Sequence, residues 1–235
     1  MKRVLTSLIL IPFFLYTVLA APDWFYLAAL AGVGLCCYFE YMGIAAGHVP
    51  ELGFDPRRQP FGYLAGLFLL ILPGQEAVFL TLVALLAWVF TLRVKSLAQI
   101  LPLTAYAVFG VLYIFGSWRC GVFLHALNPW WMLFALAINW VGDTFAYYVG
   151  KNLGRHKLAP VISPGKTWEG TLASLASTMV LGYFFLRWKC PQVAPAQALV
   201  LCFAANAAGQ VGDLCESAIK RGAGVKDSGN LLPGH

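Results

Sequence analysis

AQALVLCFAANAAGQVGDLCESAIKRGAGVKDSGNLLPGH, residues 196–235, decides how this chain is built. A membrane span needs about 20 mostly apolar residues, with a range of roughly 17–25, and residues 196–215 meet that measure. The same stretch then turns polar. Asp213, Glu216, Lys220, Arg221, Lys226, Asp227 and His235 crowd between Gly209 and the last residue. Ionisable groups at a membrane edge are costly and mark function. Asp213 lies three residues before Glu216 and seven before Lys220, so one helix face carries all three. A plain anchor would need cations there and no carboxylates. Carboxylates hold Mg²⁺, and Lys and Arg take phosphate oxygens, so the mixture suits a metal–phosphate site.

Composition places the whole chain in the membrane. Its 235 residues are 60% hydrophobic and 11% charged, with a mean hydropathy of +0.73, whereas a soluble domain carries about 25% charge. The net charge of +6 fits loops facing anionic lipid and implies no nucleic acid. The six cysteines, at 36, 37, 120, 190, 202 and 215, lie mostly in apolar runs without CxxC spacing, which argues against zinc and against a disulfide framework.

Apolar runs predict an all-α polytopic membrane protein with about eight transmembrane helices, near 4–21, 24–46, 60–74, 76–92, 97–116, 129–149, 169–186 and 196–215. Lys2-Arg3 before the first run also fits a secretory leader ending at Val18-Leu19-Ala20. The runs that follow at once favour an uncleaved span. The third run is short and bounded by Gly and Pro, so it reads as tilted, thinned or re-entrant. With the N-terminus cytoplasmic, thirteen of the sixteen Lys and Arg residues fall inside, and Arg119, Arg187 and Lys189 fall outside. Trp24, Trp118, Trp130 and Trp131 then sit near span ends, as an interfacial belt would. Glu40, inside the second run, reads either as a carboxyl paired with a neighbouring helix or as a group near the site. His48 and His125 read as isolated loop residues.

Three polar patches face the cytoplasm on this topology. In NWVGDTFAYYVGK, residues 139–151, Asp143 has Tyr147 one turn on and Lys151 two turns on. Its carboxylate could pair with Lys151 or another helix, or hold nucleotide or metal. In the loop 152–170, Ser163-Pro-Gly-Lys166-Thr167-Trp-Glu169-Gly precedes a helix start. Backbone N–H groups and a helix N-terminus favour anions there, and Lys166 adds a full charge. Ser-Pro-Gly is also ordinary turn chemistry, and Arg155, His156 and Lys157 serve topology as well as anion capture. The third patch is the opening stretch. Val-Gly-Asp occurs at 141–143 and again at 211–213. A glycine before each aspartate would let two helix ends approach and face each other across one site.

These motifs resemble the phosphatidate cytidylyltransferases, the CDP-diacylglycerol synthases. The match runs through D-T-x-A-Y-x2-G-K from Asp143, S-P-x-K-T-x-E-G from Ser163, and S-A-I-K-R-x4-K-D-x-G-x2-L-P-G-H from Ser217 to His235. In that family the last signature continues past the histidine with two glycines and Asp-Arg-x-Asp, which supplies the metal-binding partner of the Asp213 position. The resemblance implies that CTP and phosphatidate give CDP-diacylglycerol and pyrophosphate, with Mg²⁺ and a possible second cation as cofactor. It implies metal contact by Asp213 and Asp143. It makes Asp213, Lys220, Arg221, Lys226 and Asp227 the expected catalytic residues. Asp143, Lys151, Ser163, Lys166, Thr167, Glu169, Glu216 and His235 are then the expected substrate contacts. Ser163 and Ser217 are expected to shape loop and helix and not to act as nucleophiles. It further implies membrane lipid as surroundings, a homodimer, a bacterial inner membrane with the site facing the cytoplasm, and division into N-terminal helices 1–128 and a catalytic region 129–235. Two other readings remain: a CTP-dependent polyprenol or lipid kinase, and an ion-coupled transporter using Asp143, Asp213 and Glu40.

Overall fold

The computed structural model describes residues 2–48, 55–71, 76–91 and 97–229. Its chain divides into two compact units, residues 1–126 with 227–235, and residues 127–226. Among the described residues, five helices are long and apolar enough to cross a membrane: Asp23–Gly47, Leu97–Leu127, Pro129–Leu153, Trp168–Lys189 and Pro195–Gly222. The first, third and fourth expected spans are also helical, over Lys2–Leu19, Pro60–Ile71 and Glu76–Thr91. At 1.5 Å per residue, the 12-residue Pro60–Ile71 helix is about 18 Å long, short of the roughly 30 Å hydrocarbon core.

The first unit contains α1 (Lys2–Leu19), α2 (Asp23–His48), α3 (Pro60–Ile71), α4 (Glu76–Thr91), α5 (Ile100–Gly110) and α6 (Ser117–Leu127). A π-helical segment, Val111–Gly116, joins α5 to α6 without a break. Helix α3 carries Gly62 and Gly66 where a side chain would meet the rings of Tyr38 and Phe115, so the aromatic rings pack directly on its backbone. Tyr38, Leu70, Val111 and Phe115 are almost wholly buried around that contact. Before α3, Asp55 caps the short turn Pro56–Arg58 by accepting from the Arg57 backbone N–H. The Arg57 guanidinium also donates to the Asp55 carboxylate and holds it below the usual carboxylate range.

Several sequence expectations change here. The fifth helical stretch does not end near residue 116 but runs on to Leu127. Arg119, on that stretch, is buried within the protein and only 8% exposed. Its guanidinium donates to the Leu70 carbonyl at 2.8 Å, in the last turn of α3, and lies 4.7 Å from the Phe123 ring. A cation at a helix C-terminus satisfies carbonyls that have no partner within the helix. His125, expected in a loop, sits in α6, stacks 3.8 Å from the Tyr26 ring and contacts the Val18 carbonyl. Trp118 likewise falls inside this continuous helical stretch. The Glu40 carboxylate lies against Gly229 of the C-terminal segment.

The second unit contains α7 (Pro129–Leu153), β1 (Lys157–Ala159), β2 (Ser163–Thr167), α8 (Trp168–Lys189) and α9 (Pro195–Gly222). Proline at the first helical position, preceded by an Asn128 cap on Trp130 N, starts α7. Phe134, Ile138, Leu186, Cys190, Val193, Ala198 and Cys202 form the core, with Trp130 and Trp131 packed on it. The turn between α8 and α9 is held by Arg187, which donates to the Pro191 and Val193 carbonyls. Within the loop expected over 152–170, residues 157–167 form an antiparallel β-hairpin, with Lys157 opposite Thr167 and Ala159 opposite Ser163, and the two ends of the stretch belong to α7 and α8.

Candidate active site

The hairpin carries its charged residues onto the helices. Thr167, the last residue of β2, is extended and becomes the cap of α8, its hydroxyl accepting from Gly170 N at 3.2 Å. That hydroxyl is buried in the cap, where it starts the helix. Gly170 follows because a side chain there would come within 2.7 Å of the Ala146 carbonyl. The first turn of α8 thus rests on the last turns of α7.

Side chains alternate along a strand. Lys166 accordingly leaves the buried side taken by Thr167 and forms an ion pair with Asp213 of α9. Its ammonium-bearing side chain is 26% exposed and the carboxylate 48% exposed. Asp143 on α7 is exposed and within electrostatic reach of both Asp213 and Lys166. One residue from each of the three motif segments therefore meets at one place.

Glu169 is committed nearby. Its carboxylate accepts from the His156 backbone N–H at 3.2 Å and contacts His156 Nδ1 at 2.6 Å, while Trp168 N donates to the His156 carbonyl. An acid in the first turn of a helix is favourably placed against the helix dipole. Here it also ties the start of the hairpin to α8.

Beneath the charged groups lies a buried polar ladder. Asn206 Nδ2 donates to Ser174 Oγ at 2.8 Å, and Gln210 Nε2 donates to Asn206 Oδ1 at 2.6 Å. Thr178 donates to the Ser174 carbonyl. Gly142 packs against this ladder: a Cβ there would lie 2.7 Å from Ser174 Oγ and 3.0 Å from Asn206 Nδ2. The glycine before Asp143 thus serves the close approach expected of it. Gly212 does not, since a Cβ there would meet nothing within 4 Å. The two Val-Gly-Asp tripeptides are alike in sequence and different in packing. Asn206 and Gln210, polar residues four apart in an apolar run, carried the signal for this ladder.

The remaining expected residues fall as follows. Glu216 and Lys220 pair with each other at 2.9 Å along α9. Lys151 forms no ion pair with Asp143, and its ammonium lies 5.6 Å from the Tyr147 ring. Arg221 donates to the Val225 carbonyl at 3.4 Å. Ser163 is half-buried on β2, Lys226 and Asp227 are exposed, and His235 lies outside the described residues. No group of three or more His, Cys, Asp or Glu gathers as a metal cage among the described residues. Asp143 and Asp213 lie within electrostatic reach of each other. A hard divalent cation uses one or two carboxylates and completes its shell with phosphate and water, and this pair offers that donor set.

Comparison with known proteins bears on this arrangement. The family model described as Cytidylyltransferase family matches residues 1–235. The phosphatidate cytidylyltransferase of Staphylococcus saprophyticus is 39% identical over 131 residues, which are 56% of this chain and 48% of that protein. That of Bacillus subtilis is 42% identical over 105 residues, 45% of this chain and 39% of that protein. That of Haemophilus influenzae is 38% identical over 108 residues, 44% of this chain and 38% of that protein. The match thus spans less than half the length of each of these relatives.

Proposed function

This chain belongs to the cytidylyltransferase family, and from that premise we propose that it transfers a cytidylyl group from CTP to phosphatidate, releasing pyrophosphate. The observation that carries the reading is the Lys166–Asp213 ion pair within electrostatic reach of Asp143. It joins cation and carboxylate from three separate motifs.

In this reaction a phosphatidate oxygen attacks the α-phosphorus of CTP, and the bond from that phosphorus to the bridging oxygen of pyrophosphate breaks. The attacking oxygen is already anionic near neutral pH, so little general-base help is needed. The barrier lies in bringing two polyanions together and in stabilising the leaving group. Fixed positive charge does that work. Lys166 is the central cation of the site, and Lys220, Arg221 and Lys226 extend positive charge along the end of α9. Lys151 adds to it from α7. Asp143 and Asp213 would hold Mg²⁺, which supplies Lewis-acid stabilisation of phosphoryl oxygens when bound. Thr167 and Glu169 act one step back, by fixing the strand that presents Lys166.

The proposal includes about eight transmembrane helices, the short third one not spanning the full core, with the N-terminus and this site on the cytoplasmic side of a bacterial inner membrane, and a homodimeric assembly. The test is an assay with radiolabelled CTP, phosphatidate and Mg²⁺, following label into the lipid phase. Lipid-borne cytidine label with released pyrophosphate is the expected result. Release of CDP would instead favour a CTP-dependent lipid kinase, and no nucleotide turnover would favour a carrier.

A further inference from the structure

The charged cluster stands on a polar tier one helical turn beneath it. Gln210 lies three residues before Asp213, about 4.5 Å along α9. Its amide Nε2 donates to Asn206 Oδ1 at 2.6 Å and reaches the Thr171 carbonyl at 3.4 Å. Thr171 closes the first turn of α8, which directly follows the strand that presents Lys166. Asn206 in turn donates to Ser174 of α8 and is only 3% exposed. On its other side α9 meets α7 at Gly209, where a side chain would collide with Asn139 Oδ1. Asn139 is one turn before Asp143.

Something must fix α9 along its own axis. Its outer face is apolar and exposed at Val200, Phe203 and Val211, and apolar helix surfaces in lipid have little drive to choose one register. The Lys166–Asp213 pair is itself too open to solvent to hold the helix. The amide bonds are directional, and leaving such a group unpaired away from water is costly. Precision matters here, because a displacement of about 1 Å at a reacting centre costs about a hundredfold in rate. Asn206, Gln210 and Asp213 are spaced i, i+4 and i+7, so one face of α9 carries all three. We propose that Gln210 is a positioning residue for cytidylyl transfer: it ties the turn of α9 that bears Asp213 to the turn of α8 that follows Lys166. The inference rests on the phosphatidate reading and adds what keeps the reacting groups in register.

The test uses the full-length protein in detergent and the Gln210→Met variant, which keeps the length of the side chain and removes its amide. Lys166 is read directly, without metal or substrate, by brief acetylation with an amine-reactive ester and mass spectrometry. Lys157, exposed on the same hairpin, is the internal standard, and Asp213→Asn gives the ratio for a Lys166 without its ionic partner. The expected result for Gln210→Met is a Lys166 to Lys157 ratio raised toward that reference. Its kcat/KM should fall at least about tenfold, and the Mg²⁺ concentration for half-maximal activity should rise. A merely structural amide would lower the unfolding temperature and leave both the labelling ratio and the Mg²⁺ requirement unchanged, and that result would overturn the proposal. A fall in rate with unchanged labelling would overturn it too, because Gln210 would then act on substrate directly. Ser174→Ala, which removes the hydroxyl that Asn206 donates to, gives the same comparison if Gln210→Met does not fold. Raised labelling in a variant whose parent transfers no cytidylyl group would leave the positioning standing and remove the assigned reaction.

Discussion

Lys166 on β2 and Asp213 on α9 are bound as an ion pair, with the carboxylate about half exposed at 48%. Pairs that open to solvent contribute only about 0–1 kcal/mol to stability. Groups that stabilise transition-state charge are worth about 10²–10³ in rate. The two magnitudes separate the roles of the pair.

Asp213→Asn should therefore fold with an almost unchanged melting temperature in detergent and lose at least about a hundredfold in cytidylyl transfer. Circular dichroism melting and the label-transfer assay on the same preparation check this. A large drop in melting temperature would make the pair structural.

Asp143→Asn should raise the Mg²⁺ concentration needed for half-maximal activity. Chelation should abolish turnover in the wild type, and added Mg²⁺ should restore it. An Mg²⁺ titration identical to wild type would remove Asp143 from the metal site.

Gly142→Ala should cost stability, because its Cβ would lie 2.7 Å from Ser174 Oγ. Overpacking of this kind costs about 1–3 kcal/mol. Asn206→Leu removes the interhelical hydrogen bond to Ser174 and should cost about 0.6–2 kcal/mol, the range for such bonds in membranes. Both effects should appear in thermal or denaturant unfolding. The loss of activity should be larger for Gly142→Ala, since the next residue is Asp143.

Thr167→Ala should destabilise by about 1 kcal/mol, the usual loss of a helix cap, and Thr167→Ser should restore both stability and KM for CTP. An Ala variant that keeps its stability but binds CTP poorly would assign Thr167 to the phosphate contacts.

Lys157→Cys in a chain lacking its native cysteines should react with a membrane-impermeant maleimide in inside-out vesicles and not in intact cells. The opposite pattern would invert the topology.

Much of the site could be read from local spacing. Asp213, Glu216 and Lys220 lie on one helix as their separations require, and Glu216 pairs with Lys220. Lys166 stands at the entrance to a helix, as the Ser-Pro-Gly-Lys-Thr run suggested. What escaped was decided by partners distant in sequence. Strands of three and five residues, one holding Pro and Gly, have no period to detect. They gain support from the contacts of His156 with Glu169 and Trp168. Arg119 was expected beyond the end of the fifth span, near residue 116, and a buried cation is costly without partners. The Leu70 carbonyl and the Phe123 ring compensate for that cost, and neither could be assigned to it from spacing alone.

The π-helical segment Val111–Gly116 sets the phase of everything after it. Such a segment carries one residue more than an α-helix needs for the same advance, and each residue turns the helix by about 100°. Wound as a regular α-helix with every residue kept, the stretch would have the same apolar content. It would also swing Arg119 about a quarter turn or more away from the carbonyl of Leu70, and move His125 off the face of Tyr26. The extra residue works as an angular spacer: it aims α6 while leaving its composition unchanged.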